Sequence, residues 1–97
     1  MKRAAFALKL RPGKEQEYRL EHTRVWPELI DEARRLGVRN QSVYLRGDDI
    51  LVYMEAENIE ECLAALAAAP VNRRWDQFME AYIEPESLRL SEVFHMD

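Results

Sequence analysis

Cysteine occurs once in the 97-residue chain, at Cys62, so no internal disulfide can form and no cysteine-based zinc cluster can be assembled. The three glycines never fall at the spacing of a phosphate-cradling loop. Histidine occurs only at His22 and His95, with no metal-ligand spacing around either, and no serine stands in a nucleophile-elbow context. Phosphoryl transfer, hydride transfer and zinc-dependent hydrolysis are thus without support. No apolar stretch reaches membrane-spanning length: after Met1-Lys2-Arg3 the run Ala4-Ala5-Phe6-Ala7-Leu8 is cut by Lys9 and Arg11, too early for export or insertion, which predicts a cytoplasmic protein. Neither sign of charge dominates. Fourteen Lys and Arg against eighteen Asp and Glu give a net charge of -4, interspersed along the chain, and argue against nucleic acid or an anionic membrane surface as a partner.

What is present has the balance of one globular domain spanning residues 1–97, with 47% hydrophobic and 33% charged residues. Residues 2–10 form an apolar run closed by Pro12-Gly13, which predicts a first strand. From Lys14 onward Tyr18, Val25, Trp26, Leu29, Ala33 and Leu36 recur at helical steps, and Gly37 ends the pattern. Pro27 interrupts it. The proline ring collides with the carbonyl four residues back, so the helix either kinks there or restarts with Pro27 in its first turn. Residues 38–46 and 50–57, joined by Gly47-Asp48-Asp49, predict an antiparallel hairpin. Asn58 with Glu61 reads as a capping box opening a second helix to about Ala68. Pro70 starts a third, with Val71, Trp75, Phe78, Met79 and Tyr82 on one stripe and Pro85 marking its end. Residues 92–96 have strand character and predict the last strand.

This order, βαββαβ with a paired second helix, is that of a ferredoxin-like α+β fold: an antiparallel sheet with helices on one face. The first strand carries Phe6 and Leu8 on one face and Ala5 and Ala7 on the other. The terminal strand carries Phe94 and Met96 opposite Val93. One helix layer covers only one face, so the second apolar face calls for a homodimer packed sheet to sheet.

The chemistry within reach of these residues is proton transfer in an aromatic-lined cavity. His22 falls four residues after Tyr18 and four before Trp26, on the buried helical stripe. A hydrogen-bonded core histidine is one explanation. Two features favour a site: the Pro27 break leaves loosened backbone beside His22, and an imidazole with a reference pKa near ~6.5 exchanges protons at neutral pH. Tyr18 and Trp75 are explained by packing or by ligand contact, since an aromatic face suits the C–H face of a pyranose and a tyrosine hydroxyl can bond a sugar oxygen. Asp76 adds an acceptor beside Trp75, with a solvated carboxylate as the alternative. Strand alternation sends Gln41 and Tyr44 to opposite faces, so only one of them looks under the helices. Cys62 reads as a small buried apolar residue, His95 and Arg73-Arg74 as solvated.

Tyr18-x-x-x-His22, Val25-Trp26-Pro27-Glu28-Leu29, the Gly37–Leu45 segment ending Val43-Tyr44-Leu45, the Arg74-Trp75 to Met79 segment and the closing Glu92-Val93-Phe94 together make a specific combination. With them the chain resembles the L-rhamnose mutarotases, small dimeric α+β barrel proteins, over nearly its whole length. The resemblance implies His22 as proton donor and Tyr18 and Trp75 as sugar contacts. Family members often carry a tyrosine where this chain has Gln41 and a second tryptophan where it has Asp76. Gln41 and Asp76 are therefore expected to touch the substrate, and exchanging stacking for hydrogen bonding makes L-fucose an alternative to L-rhamnose.

The implied reaction interconverts the anomers of a monosaccharide by ring opening and closure. It needs an acid and a base and no metal or redox cofactor. His22 would donate to the ring oxygen while Tyr18, Asp76 or a bound water accepts from the anomeric hydroxyl. Two rival readings share the architecture: a cofactorless oxygenase or haem-degrading protein with His22 as haem ligand, and a non-catalytic module binding a small ligand.

Overall fold

The computed structural model describes residues 1–97. Its elements run β1 (Lys2–Leu10), α1 (Glu15–Glu21), α2 (Pro27–Arg35), β2 (Val38–Arg46), β3 (Asp49–Ala56), α3 (Ile59–Ala68), α4 (Pro70–Met79) and β4 (Ile83–Leu90). The sheet order is β2-β3-β1-β4 with every neighbouring pair antiparallel, the ferredoxin-like α+β arrangement. No helix is long and apolar enough to cross a membrane.

Register fixes which side chains meet the helices. Phe6 pairs with Val52 and Leu8 with Ile50, while Val52 and Ile50 pair across the hairpin with Val43 and Leu45. These residues, with Gln41 opposite Met54, face the helical layer. The hairpin turns on Gly47-Asp48, and Gly47 takes φ 57°, the left-handed conformation that the first position of a tight two-residue turn demands.

Burial divides into two small cores rather than one. Ala4, Val38, Met54 and Ala56 pack with Ile59, Cys62 and Leu66 of α3 at one end of the sheet. Leu10, Ile50, Tyr18 of α1 and Met79 of α4 pack at the other. Phe6, Leu8 and Val52, only partly buried, floor the space between them.

At Pro27 the helix restarts rather than kinks. Trp26 is extended (φ -56°, ψ 125°), as a residue before proline prefers, and its carbonyl accepts from the amides of Leu29 and Ile30 to open α2 with Pro27 in its first turn. Upstream, α1 ends at Glu21, and the Leu20 carbonyl accepts both the Thr23 amide at 3.0 Å and the Thr23 hydroxyl at 2.7 Å, which ties off the broken helix end.

Three expectations are corrected. Pro85 does not close α4, which stops at Met79, but lies inside β4. Proline is tolerated there because β4 is an edge strand, and the β1–β4 register shifts between Leu8 and Leu10, opposite this stretch. The last strand is therefore residues 83–90 and not 92–96, and the tail beyond Leu90 is irregular, with Val93 96% and Phe94 79% exposed. The Asn58–Glu61 capping box does not form either: Asn58 occupies the N-cap without a side-chain hydrogen bond, and α3 is held by burial of Ile59, Cys62 and Leu66.

The other sheet face matches expectation in being apolar. Ala5 and Ala7 are flanked there by Leu51, Leu88, Leu90 and Tyr44, of which Leu88 and Tyr44 are more than half exposed. A shallow hollow of about 420 Å³ on this face is rimmed by Lys9, Arg46, Glu84 and Glu86.

With no side-chain cap to lose, Asn58→Ala is expected to change unfolding free energy by less than about 0.5 kcal/mol, against ~1 kcal/mol for a working cap. Ile59→Ala should cost about 2–5 kcal/mol in the same urea titrations. A loss near 1 kcal/mol in Asn58→Ala would restore the capping box.

Candidate active site

The gap between the two cores is a cavity of about 490 Å³, floored by the sheet and roofed by the helices. Tyr18, His22, Gln41, Trp75 and Asp76 all line it, so the structure brings together every residue singled out from the sequence. Its wall is mainly apolar. Past Gln41 and Val43 it adjoins a second hollow between α2 and β2, which His22 and Trp75 also line.

Each side chain has an identifiable reason for its position. Tyr18 lies on the inner face of α1 and is 6% exposed. His22 is the C-cap of α1, one turn on, where the helix gives out before Pro27. Trp75 comes from the middle of α4, with Asp76 next to it at the rim. Gln41 comes from β2 and, as an edge-strand residue facing the helical layer, guards the side of the cavity. Tyr44 points to the opposite face and lines the hollow there.

The imidazole of His22 is held on three sides. Its Nδ1 lies 2.9 Å from the Tyr18 carbonyl oxygen, which also accepts the His22 backbone N–H at 3.2 Å. A carbonyl can only accept, so Nδ1 carries a proton and the neutral ring leaves Nε2 as its lone-pair nitrogen. The ring centroid lies 4.2 Å from that of Tyr18 and 5.6 Å from that of Trp75, edge-on at 81°. Trp75 is braced in turn by Trp26 at 5.1 Å and Phe78 at 5.8 Å.

Trp26, which helical periodicity placed on the stripe as a packing residue, stands instead at the N-cap of α2, from where it braces Trp75. Two polar lining residues were missed: Asn72, one turn before Trp75 on α4, and Ser87, on β4. The spacing of Asn72 to Trp75 and Asp76 was a readable signal for the first. Ser87 had none, since its strand was not recognised.

Burial pushes the Tyr18 hydroxyl up to about 12, so at neutral pH it is a hydrogen-bond donor and a weak proton acceptor. The Asp76 carboxyl is raised from the ordinary carboxylate range by desolvation and then by Glu80 one turn on. Glu21, beside His22 in sequence, is lowered by its ion pair with Arg24 and is committed to that pair. Nowhere do three or more His, Cys, Asp or Glu side chains come together to hold a metal ion.

The arrangement is a mainly apolar cavity with a few polar side chains and one imidazole held at a fixed angle, a group that can chemically donate or accept a proton. Comparison with known proteins points the same way. Residues 3–96 match the model of the L-rhamnose mutarotase family. L-rhamnose mutarotases of Oceanobacillus iheyensis and Phocaeicola vulgatus are 34% and 36% identical, each over the whole of both chains. The crystal structure of an L-rhamnose mutarotase from Formosa agariphila superposes with a TM-score of 0.87 at 27% identity, also over the whole of both chains. A match of this extent to the family model, with full-length relatives at this identity, leaves one assignment: the chain belongs to the L-rhamnose mutarotase family.

Proposed function

We propose that this chain interconverts the α and β anomers of L-rhamnose in the cavity between its two cores, with His22 as the proton-transfer group. Family membership carries the reaction. The observation that supports the residue assignment is the fixed imidazole, tied by Nδ1 to the Tyr18 carbonyl at the wall of a cavity that Trp75 and Tyr18 also line.

The tie to Tyr18 determines what His22 can do in each charge state. As the imidazolium it retains the Nδ1 hydrogen bond and donates from Nε2; as the neutral ring it accepts at Nε2. In the opening step Nε2–H gives its proton to the ring oxygen as the bond from the anomeric carbon to that oxygen breaks. The anomeric hydroxyl loses its proton to Asp76 or to a water beside it, and its oxygen becomes the aldehyde. Rotation about the bond between the first two carbons presents the other carbonyl face. Reclosure runs the same transfers backward and returns the proton to Nε2. Tyr18, with its hydroxyl raised to about 12, serves this scheme as a donor to a sugar oxygen rather than as the base. The upward shift of Asp76 brings that carboxyl closer to the operating pH, where acid–base catalysis is most effective.

The uncovered sheet face supports a homodimer. Leu51, Leu88, Leu90 and Tyr44 form its apolar centre, and Arg46 on β2 and Glu84 and Glu86 on β4 lie toward opposite edges, where a two-fold axis would bring unlike charges together.

Three outcomes are expected. Proton NMR exchange between the anomeric signals of L-rhamnose should be accelerated by the intact chain, and His22→Ala should lower that acceleration by about 10²–10⁴-fold. Unchanged exchange in His22→Ala would remove the assignment, and a larger effect on L-fucose than on L-rhamnose would move the substrate. Sedimentation should give a dimer that Leu88→Glu converts to monomer; a wild-type monomer would refute the sheet-to-sheet pairing. In alkaline titration one tyrosine should ionise late, near pH 12, and be missing from Tyr18→Phe. Because the neutral hydroxyl is the form the fold favours, stability should be full below pH 10.0 and fall as pH rises from 10.0 to about 12. The total loss is on the order of 2–3 kcal/mol.

A further inference from the structure

Of the cavity's 19 lining residues 14 are hydrophobic, and the remaining five are His22, Gln41, Asn72, Asp76 and Ser87. His22 has its acid–base position, and Gln41 and Asp76 stand where the family often carries aromatic rings. Asn72 and Ser87 are left without an assignment. Neither takes part in any side-chain hydrogen bond within the chain. An amide and a hydroxyl without protein partners, set in a mostly apolar wall, are open donors and acceptors for whatever enters.

Their placement gives them separate reach. Asn72 is three residues before Trp75 and four before Asp76 on α4, so all three line one face of that helix above the sheet. Ser87 pairs with Leu8 on β1 and lies on the cavity floor at the β4 edge. Gln41 lies on β2, the opposite edge of the four-stranded sheet. Beside Asn72 the wall is supplied by Leu63, Leu66 and Ala67 of α3, which offer no hydrogen bond. A 6-deoxyhexose has this same division: hydroxyls on three ring carbons besides the anomeric one, and a methyl group that no polar residue can serve.

Resting on the proposed site, we infer that Asn72 and Ser87 are substrate-recognition residues that hydrogen-bond ring hydroxyls away from the anomeric carbon, while the α3 wall receives the methyl group. A hydrogen bond from such a group to a hydroxyl discriminates well, because a sugar without that hydroxyl leaves the protein's donor or acceptor unpaired.

The test measures binding by tryptophan fluorescence, which needs no turnover. L-rhamnose and its 2-, 3- and 4-deoxy analogues would be titrated into the wild-type chain, Asn72→Ala, Ser87→Ala and His22→Ala. Asn72→Ala and Ser87→Ala should each weaken L-rhamnose binding by roughly 5–10-fold, the worth of one such hydrogen bond. At least one deoxy analogue should be weakened at most about twofold by each substitution, identifying the hydroxyl contacted. An equal loss for all four sugars, or no loss at all, would overturn the inference and reduce the residue to a packing role. Failure of the underlying site looks different: His22→Ala would then neither lose anomer exchange nor report binding in common with the other variants.

Discussion

The Tyr18 carbonyl accepting two hydrogen bonds from the same residue is the interaction on which the site rests. One donor is the His22 amide, closing the last turn of α1; the other is the imidazole Nδ1 at 2.9 Å. The backbone bond places His22 at the end of the helix, and the side-chain bond then sets the ring's angle and its tautomer. Both depend on α1 ending where it does, which is the work of Pro27: with no amide hydrogen and with its ring against the preceding turn, it forces residues 22–26 out of the helix. Without that break His22 would be one more residue of a continuous helix. With it, the ring stands between Tyr18 and Trp75 at the cavity wall.

The cavity itself reflects how a short chain distributes its apolar residues. Seven buried residues gather at one end of the sheet around α3, and four at the other around Tyr18 and Met79. A single continuous core would have filled the middle and left no room for a ligand. Here the middle of the sheet is only partly covered, and its residues Phe6, Leu8 and Val52 face open space. An unfilled interior forgoes dispersion contacts that a small domain can hardly spare. Burial of the second apolar sheet face against a partner copy would help to offset this, linking the proposed dimer to the proposed pocket.

Much of this was legible from residue order because its causes are local. Strand β1, the hairpin closed near Gly47, the interruption at Pro27 and the helix start at Pro70 each follow from backbone rules acting over a few residues, whereas the choice of a restart over a kink at Pro27 came from the structure. Gln41 and Tyr44 were assignable to opposite faces by alternation alone. The proximity of Tyr18, His22 and Trp75 needed helical spacing for one pair and family resemblance for the third. What was not legible depended on tertiary context. Pro85 is a stop signal by itself and an acceptable strand residue only because β4 is an edge, which nothing within residues 83–90 announces. The tail attracted the strand assignment because Val93, Phe94 and Met96 have the right composition, although β4 had already taken the position beside β1. Asn58 and Glu61 have the letters of a capping box, and burial of the α3 stripe makes the box unnecessary.

Apart from Tyr18 and the Cys62 thiol, no side chain able to hydrogen-bond is buried, and no buried side-chain nitrogen or oxygen goes unpaired. The polar groups of the cavity are thus, apart from the anchored imidazole, dispensable to the architecture. Exchanging Gln41 or Asp76 for another residue type breaks no internal network and leaves no stranded partner, so the penalty that usually restrains change inside a protein is small at these positions. A domain built this way can drift toward a different sugar by one or two replacements while its scaffold stays as it is.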